Sequence, residues 1–129
     1  MRLNPDCIRD ILLSVEAATD GETFFHYDKE NVIHEKLQKY KHNEILYHFS
    51  QCNMAGLIEG FQPYDAGDYV TICDLSPEGH EFLANIRSNS IWSKVKDIAV
   101  KIGTPALGSM LQIAENLASQ IVTGYFQLK

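Results

Sequence analysis

At 129 residues, 45% of them hydrophobic, the chain has enough apolar side chains for one domain with its own core and is too short for two domains of ordinary size. No apolar run approaches the roughly 18 residues of a membrane span, and the opening MRLNPDCIRD lacks the apolar core of a signal peptide, so a soluble cytoplasmic protein with no membrane partner is expected. The net charge of −6 is unevenly spread: residues 42–86 hold seven Asp and Glu and no Lys or Arg, whereas residues 87–129 hold five Lys and Arg against two acids.

A first helix is expected from Pro5, with Asn4 as its N-cap. Ile8, Ile11, Leu12 and Val15 fall on one face at i, i+3, i+4, i+7 spacing. It ends before the turn dipeptide Asp20-Gly21. The aromatic stretch Thr23 to Tyr27 reads as a short strand that pairs with a later hairpin. Between Asp28 and Gln38, Val32, Ile33 and Leu37 suggest a short second helix. From Asn43 a clearer helix follows, with Ile45, Leu46, Phe49 and Cys52 inward, His42, Tyr47, Ser50 and Gln51 outward, and Gly56 as its stop.

Residues 57–61 and 69–73 carry the β-branched and aromatic types of a half-buried hairpin, with QPYDAGD as the turn between them. In LSPEG, Ser76 is the N-cap of the next helix, Pro77 its first residue, and Glu78 faces the positive end of its dipole. That helix turns Phe82, Leu83 and Ile86 inward as far as Ser88. The SNS at 88–90 starts another, with Ile91, Trp92, Val95, Ile98, Ala99 and Ile102 along one stripe, stopped by Gly103-Thr104-Pro105. A last helix is expected over 106–122, with Leu107, Met110, Leu111, Ala114, Leu117, Ala118 and Ile121 on its apolar side; beyond Gly124 the end is either frayed or docked by Tyr125 and Phe126.

The elements add up to an α+β, mainly α, winged helix-turn-helix-like domain. It has a small antiparallel hairpin or three-stranded sheet over residues 1–88, followed by a C-terminal helical extension over residues 89–129. The extension either packs on that domain or mediates dimerisation, with Leu107, Met110, Leu111, Leu117 and Ile121 as candidate interface residues.

Chemistry-bearing motifs are few. His26, His34, His42, His48 and His80 follow no recognised ligand spacing, and His42 and His48 stand about 240° apart around a helix. No calcium loop, Gly-rich phosphate loop or nucleophile elbow occurs. Neither a metal, a cofactor, a catalytic residue nor an enzymatic activity is expected. Cys7, Cys52 and Cys73, odd in number and scattered, suit buried thiols in a reducing compartment better than a disulfide framework.

For nucleic acid, fold and charge point in opposite directions. A DNA-binding winged helix meets phosphates with Lys and Arg on its recognition helix and wing; here those elements carry only acids. The favoured partner is therefore a protein, bound by an acidic and polar face of Tyr47, His48, Gln51, Glu59, Asp65 and Asp68. DNA is the alternative, bound through basic residues outside the wing: Lys36, Lys39, Lys41, Arg87, Lys94 and Lys96.

The segments MRLNPDCIRDILLSVE, YHFSQCNMAGLIEG and ICDLSPEGHEFLANIRSNSIWSKVK resemble a group of small hypothetical proteins of phages, prophages and bacterial genomes, classed as a domain of unknown function. The resemblance covers most of residues 1–103. It implies a winged-helix-like fold and association with mobile elements, and it brings no catalytic residues.

Overall fold

The computed structural model describes residues 1–103 and 106–127. The chain divides into two compact units, Met1–His80 and Glu81–Lys129. The fold is α+β and mostly helical.

In the first unit, α1 (Pro5–Ala18) starts where the sequence says it should: the Asn4 side chain accepts the Asp6 N–H, and Cys7, Ile8, Ile11, Leu12 and Val15 are buried. α1 packs against β1 (Phe25–Asp28), against a single 3-10 turn at Glu35–Leu37 and against α2 (His42–Met54). The short helix expected between Asp28 and Gln38 is reduced to that turn. Ile33 and Leu37 are four residues apart, as on one helical face, but only Leu37 reaches the core, while Ile33 is 68% exposed. Side chains hold the segment instead, the Asp28 carboxylate accepting the Glu30 N–H and Gln38 donating to the Val32 carbonyl.

α2 buries Ile45, His48, Phe49 and Cys52, with Leu46 half-buried. Its end is a Schellman pair, the Gly56 N–H donating to the Asn53 carbonyl and the Leu57 N–H to the Cys52 carbonyl.

The hairpin forms as two short ribbons in one common register. β2 (Ile58–Glu59) pairs with β5 (Asp74–Leu75), and β3 (Gln62–Tyr64) pairs with β4 (Tyr69–Ile72), Ile58 opposing Leu75 and Tyr64 opposing Tyr69. β1 adds to the far side of β4, giving the order β1-β4-β3. Gln62, Pro63 and Tyr64 thus belong to a strand, and the turn shrinks to Asp65–Asp68.

α3 (Pro77–Ile86) opens with Ser76, whose Oγ accepts the Gly79 N–H and donates to the Gly56 carbonyl. Phe82, Leu83 and Ile86 are buried. In the second unit, α4 (Asn89–Lys101) is capped by Ser88 and buries Trp92, Val95 and Ala99. Ile102, expected on that stripe, is the helix C-cap and 65% exposed. α4 packs against α5 (Leu107–Gln127), which buries Leu107, Met110 and Ala114. α5 runs five residues past its expected end, with Tyr125 and Phe126 inside the helix and 56% and 66% exposed, so neither docks the terminus. Thr104 and Pro105, expected to stop α4, lie outside the described residues.

Candidate functional site

The outward face of α2 and the tip of the β3–β4 hairpin meet. Three consecutive residues of the tip, Asp65 (φ 53°), Ala66 (φ 56°) and Gly67 (φ 93°), adopt the left-handed backbone, which curls the turn back on itself. Gly67 is buried on α2, where an added Cβ would stand 2.8 Å from Leu46 Cδ1 and push that side chain aside; its φ of 93° is the stronger reason for glycine. Asp68 then lies at the first turn of α2, its Oδ1 3.5 Å from His42 Nε2 and 4.0 Å from Lys29 Nζ. The Lys29 N–H donates to the Asp68 carbonyl at 2.9 Å. On its other side the His42 ring stacks on Tyr27, with centroids 5.7 Å apart and planes 6° apart, and its Nδ1 lies 2.8 Å from the Tyr27 hydroxyl.

The Tyr27 hydroxyl and His42 Nδ1 share one hydrogen bond, and Nε2 faces the Asp68 carboxylate. The Tyr27–His42–Asp68 series holds the hairpin tip. It does not present a nucleophile, because Tyr27 is 1% exposed and burial, with Asp28 and Asp68 nearby, raises its pKa.

Of the residues expected on the acidic face, Asp65 and Asp68 sit exposed at this tip, and Tyr47 and Gln51 are half-buried on the outward arc of α2. Glu59 is exposed but lies in the other ribbon, opposite Asp74. His48 is not on the face at all. It is 0% exposed, its Nδ1–H donating to the Glu44 carbonyl at 2.7 Å and its Nε2 accepting the Asn4 N–H at 2.8 Å. The sequence held the signal, since Ile45, His48, Phe49 and Cys52 follow the i, i+3, i+4, i+7 spacing of a buried stripe.

The basic residues fall in separate places. Lys36 and Lys39 line an open groove of about 560 Å³, floored by Leu13, Ala17 and Ile33. Lys39 Nζ is 3.1 Å from Asp10 Oδ2, which also accepts from the Tyr40 hydroxyl at 2.6 Å. Lys41 is exposed ahead of α2. Arg87, Lys94 and Lys96 belong to the second unit, with Lys96 Nζ 5.6 Å above the Trp92 ring.

Of the candidate interface residues, Leu107 and Met110 are buried within the second unit at 7% and 0% exposure, because they face α4's side of the helix pair. They are thus unavailable to a partner. Leu111 and Leu117 are half-buried and Ile121 is exposed.

Among the described residues, no three His, Cys, Asp or Glu are grouped to hold a metal ion. The cysteines are free, with Cys7 and Cys52 buried and Cys73 half-buried. Burial, helped by Glu44 and Asp10, pushes the Cys7 thiol up to about 12; burial also raises Cys52. Both stay protonated at neutral pH and are poor nucleophiles there.

The model of a family described as a hypothetical protein, DUF2513, matches residues 2–105. A Haemophilus influenzae protein described as uncharacterized is 27% identical over 124 residues, spanning 95% of this chain and 99% of that one. No solved structure matches the chain.

Proposed function

We propose that this chain, which belongs to the DUF2513 family of phage- and prophage-associated hypothetical proteins, is a non-enzymatic winged-helix-like module that binds a basic protein partner through α2 and the hairpin tip. The element order supports the winged-helix reading. A helix, a strand, a turn and a second helix precede a hairpin whose returning strand lies between the other two, in the order β1-β4-β3. In that scheme α2 stands where a recognition helix would.

The observation that carries the functional reading is the seat of the hairpin tip on α2. The N-terminal turn of a helix favours anions, and in a DNA complex phosphates would be drawn to it. Here Asp68 already stands there, held by His42, with Asp65 beside it in the same turn. No Lys or Arg lies between Lys41 and Arg87; Lys29, with its Nζ 4.0 Å from Asp68 Oδ1, offsets one of these acids from outside that stretch. A phosphate backbone would meet like charge, whereas a Lys- or Arg-rich protein surface would meet complementary charge.

The competing reading uses Lys36 and Lys39, which share the groove beside α1, to hold DNA. Electrophoretic mobility shift at low salt, with DNA fragments from around the protein's own gene, separates the two. No sequence-selective retardation is expected. A protein partner recovered from host lysate is expected to be lost on replacing Asp65 and Asp68 with Asn, which removes both charges yet tolerates the left-handed backbone of residue 65, at retained helix content by circular dichroism. Tight, salt-sensitive, sequence-selective retardation would sink the protein-binding reading.

A further inference from the structure

The apolar stripe of α5 loses its cover along its length. Leu107, Met110 and Ala114 are buried, Leu117 and Ala118 are half-buried, and Ile121, Val122, Tyr125 and Phe126 are 55–66% exposed. Helix length explains the gradient. α4 has 13 residues and α5 has 21, about 20 Å against about 31 Å at 1.5 Å per residue. Helices that pack together across so short a connection run antiparallel, so the last eight or so residues of α5 extend past the reach of α4. Four large apolar side chains in sequence on one overhang make a patch rather than the scattered exposure usual on a surface.

We propose that this overhang, Gln120 to Gln127, is a homodimer surface that pairs antiparallel with the same segment of a second copy. Charge selects that occupant. Residues 106–127 contain one ionisable side chain of the Asp, Glu, Lys or Arg type, Glu115, so two overhangs approach without like-charge repulsion although the whole chain carries −6. The polar residues flanking the stripe are Asn116, Ser119, Gln120, Thr123 and Gln127. Amides and hydroxyls both donate and accept, so each can pair with whichever polar residue the two-fold axis brings opposite it, whereas a charged residue would need an opposite charge there. A membrane surface is a poorer fit, because interfacial helices carry Lys and Arg on the polar face and this helix has none among residues 106–127.

Light scattering of the full chain during size-exclusion chromatography, over a hundredfold range of concentration, tests the proposal. The expected mass is twice 14.6 kDa at the upper end. Replacing Ile121 and Tyr125 with Lys is expected to give a monomer with unchanged helix content. Should that double variant unfold, the milder Phe126→Ala, at a fully formed but exposed site, decides: it is expected to raise the dimer dissociation constant roughly tenfold. A wild-type monomer throughout, or a dimer of undiminished affinity in the variants, overturns the proposal. So does a monomer that co-sediments with phosphatidylcholine vesicles, which would make the bilayer the occupant.

Discussion

Single atoms decide how several segments fit. An added Cβ on Gly79 would stand 2.0 Å from the Leu57 carbonyl oxygen and 2.9 Å from its carbon. Both are backbone atoms, fixed because the Ser76 N–H donates to that same carbonyl at 3.0 Å. Gly79→Ala is therefore expected to destabilise by about 3 kcal/mol, read by urea denaturation; a loss below about 0.5 kcal/mol would show that α3 shifts freely. Nothing in the sequence announced that contact, since glycine in the first turn of a helix has many uses. Ser76 and Pro77, by contrast, announced the helix start, because cap chemistry is local. His48 shows where local reasoning stopped: its period was legible, but its acceptor role depends on the backbone of Asn4, 44 residues away in sequence.

Among the elements, the helices were the most legible and the connections the least. α1, α2, α3 and α4 begin at or within a residue or so of their sequence signals, because capping and apolar period act within a few residues. The Asp28–Gln38 segment was not legible, since its shape comes from the His34 ring stacked 4.3 Å over Phe25 and from side chain to backbone bonds. The hairpin was found, but its turn came out shorter, with Gln62 to Tyr64 drawn into pairing by β4. That tight turn stores strain. Ala66 at φ 56° and ψ 30° carries a left-handed cost of about 1–2 kcal/mol, partly offset in any glycine variant by greater unfolded-state entropy. Ala66→Gly is expected to stabilise by roughly 0.5–1 kcal/mol. A lowered melting temperature would show that the Ala66 methyl makes contacts worth more than the strain.

At the scale of the whole molecule, the buried weak acids set a limit on alkaline stability. Cys7 and Cys52 have an ordinary pKa of 9.0 and Tyr27 and Tyr40 one of 10.0, and all four are raised in the fold, chiefly by burial. For Tyr40 the hydrogen bond to Asp10 adds to burial. The unfolded chain releases these protons first, so stability is whole below pH 9 and falls as pH climbs toward the folded value, about 12 for Cys7. Urea midpoints are expected to drop steadily across that window, and less steeply in Cys7→Ala. A midpoint that stays level from pH 9 upward would contradict this. The mainly helical α+β class and the family were legible from pattern and resemblance. The length of α5 was not, because its last turns lack the inward anchors that mark a packed helix.

The three-stranded sheet also restricts how anything can join it. Its outer strand β3 presents Pro63, which has no N–H to offer. On the opposite edge, the His26 carbonyl of β1 already takes a hydrogen bond from His34 Nε2 at 2.7 Å. Both edges are thus blunted against an incoming strand. A strand added at either edge would forgo a backbone hydrogen bond at these positions, whether it came from a partner or from a second copy. In the proposed protein-binding role, side chains rather than strand pairing would supply recognition, and point substitutions would rewrite it without disturbing the sheet.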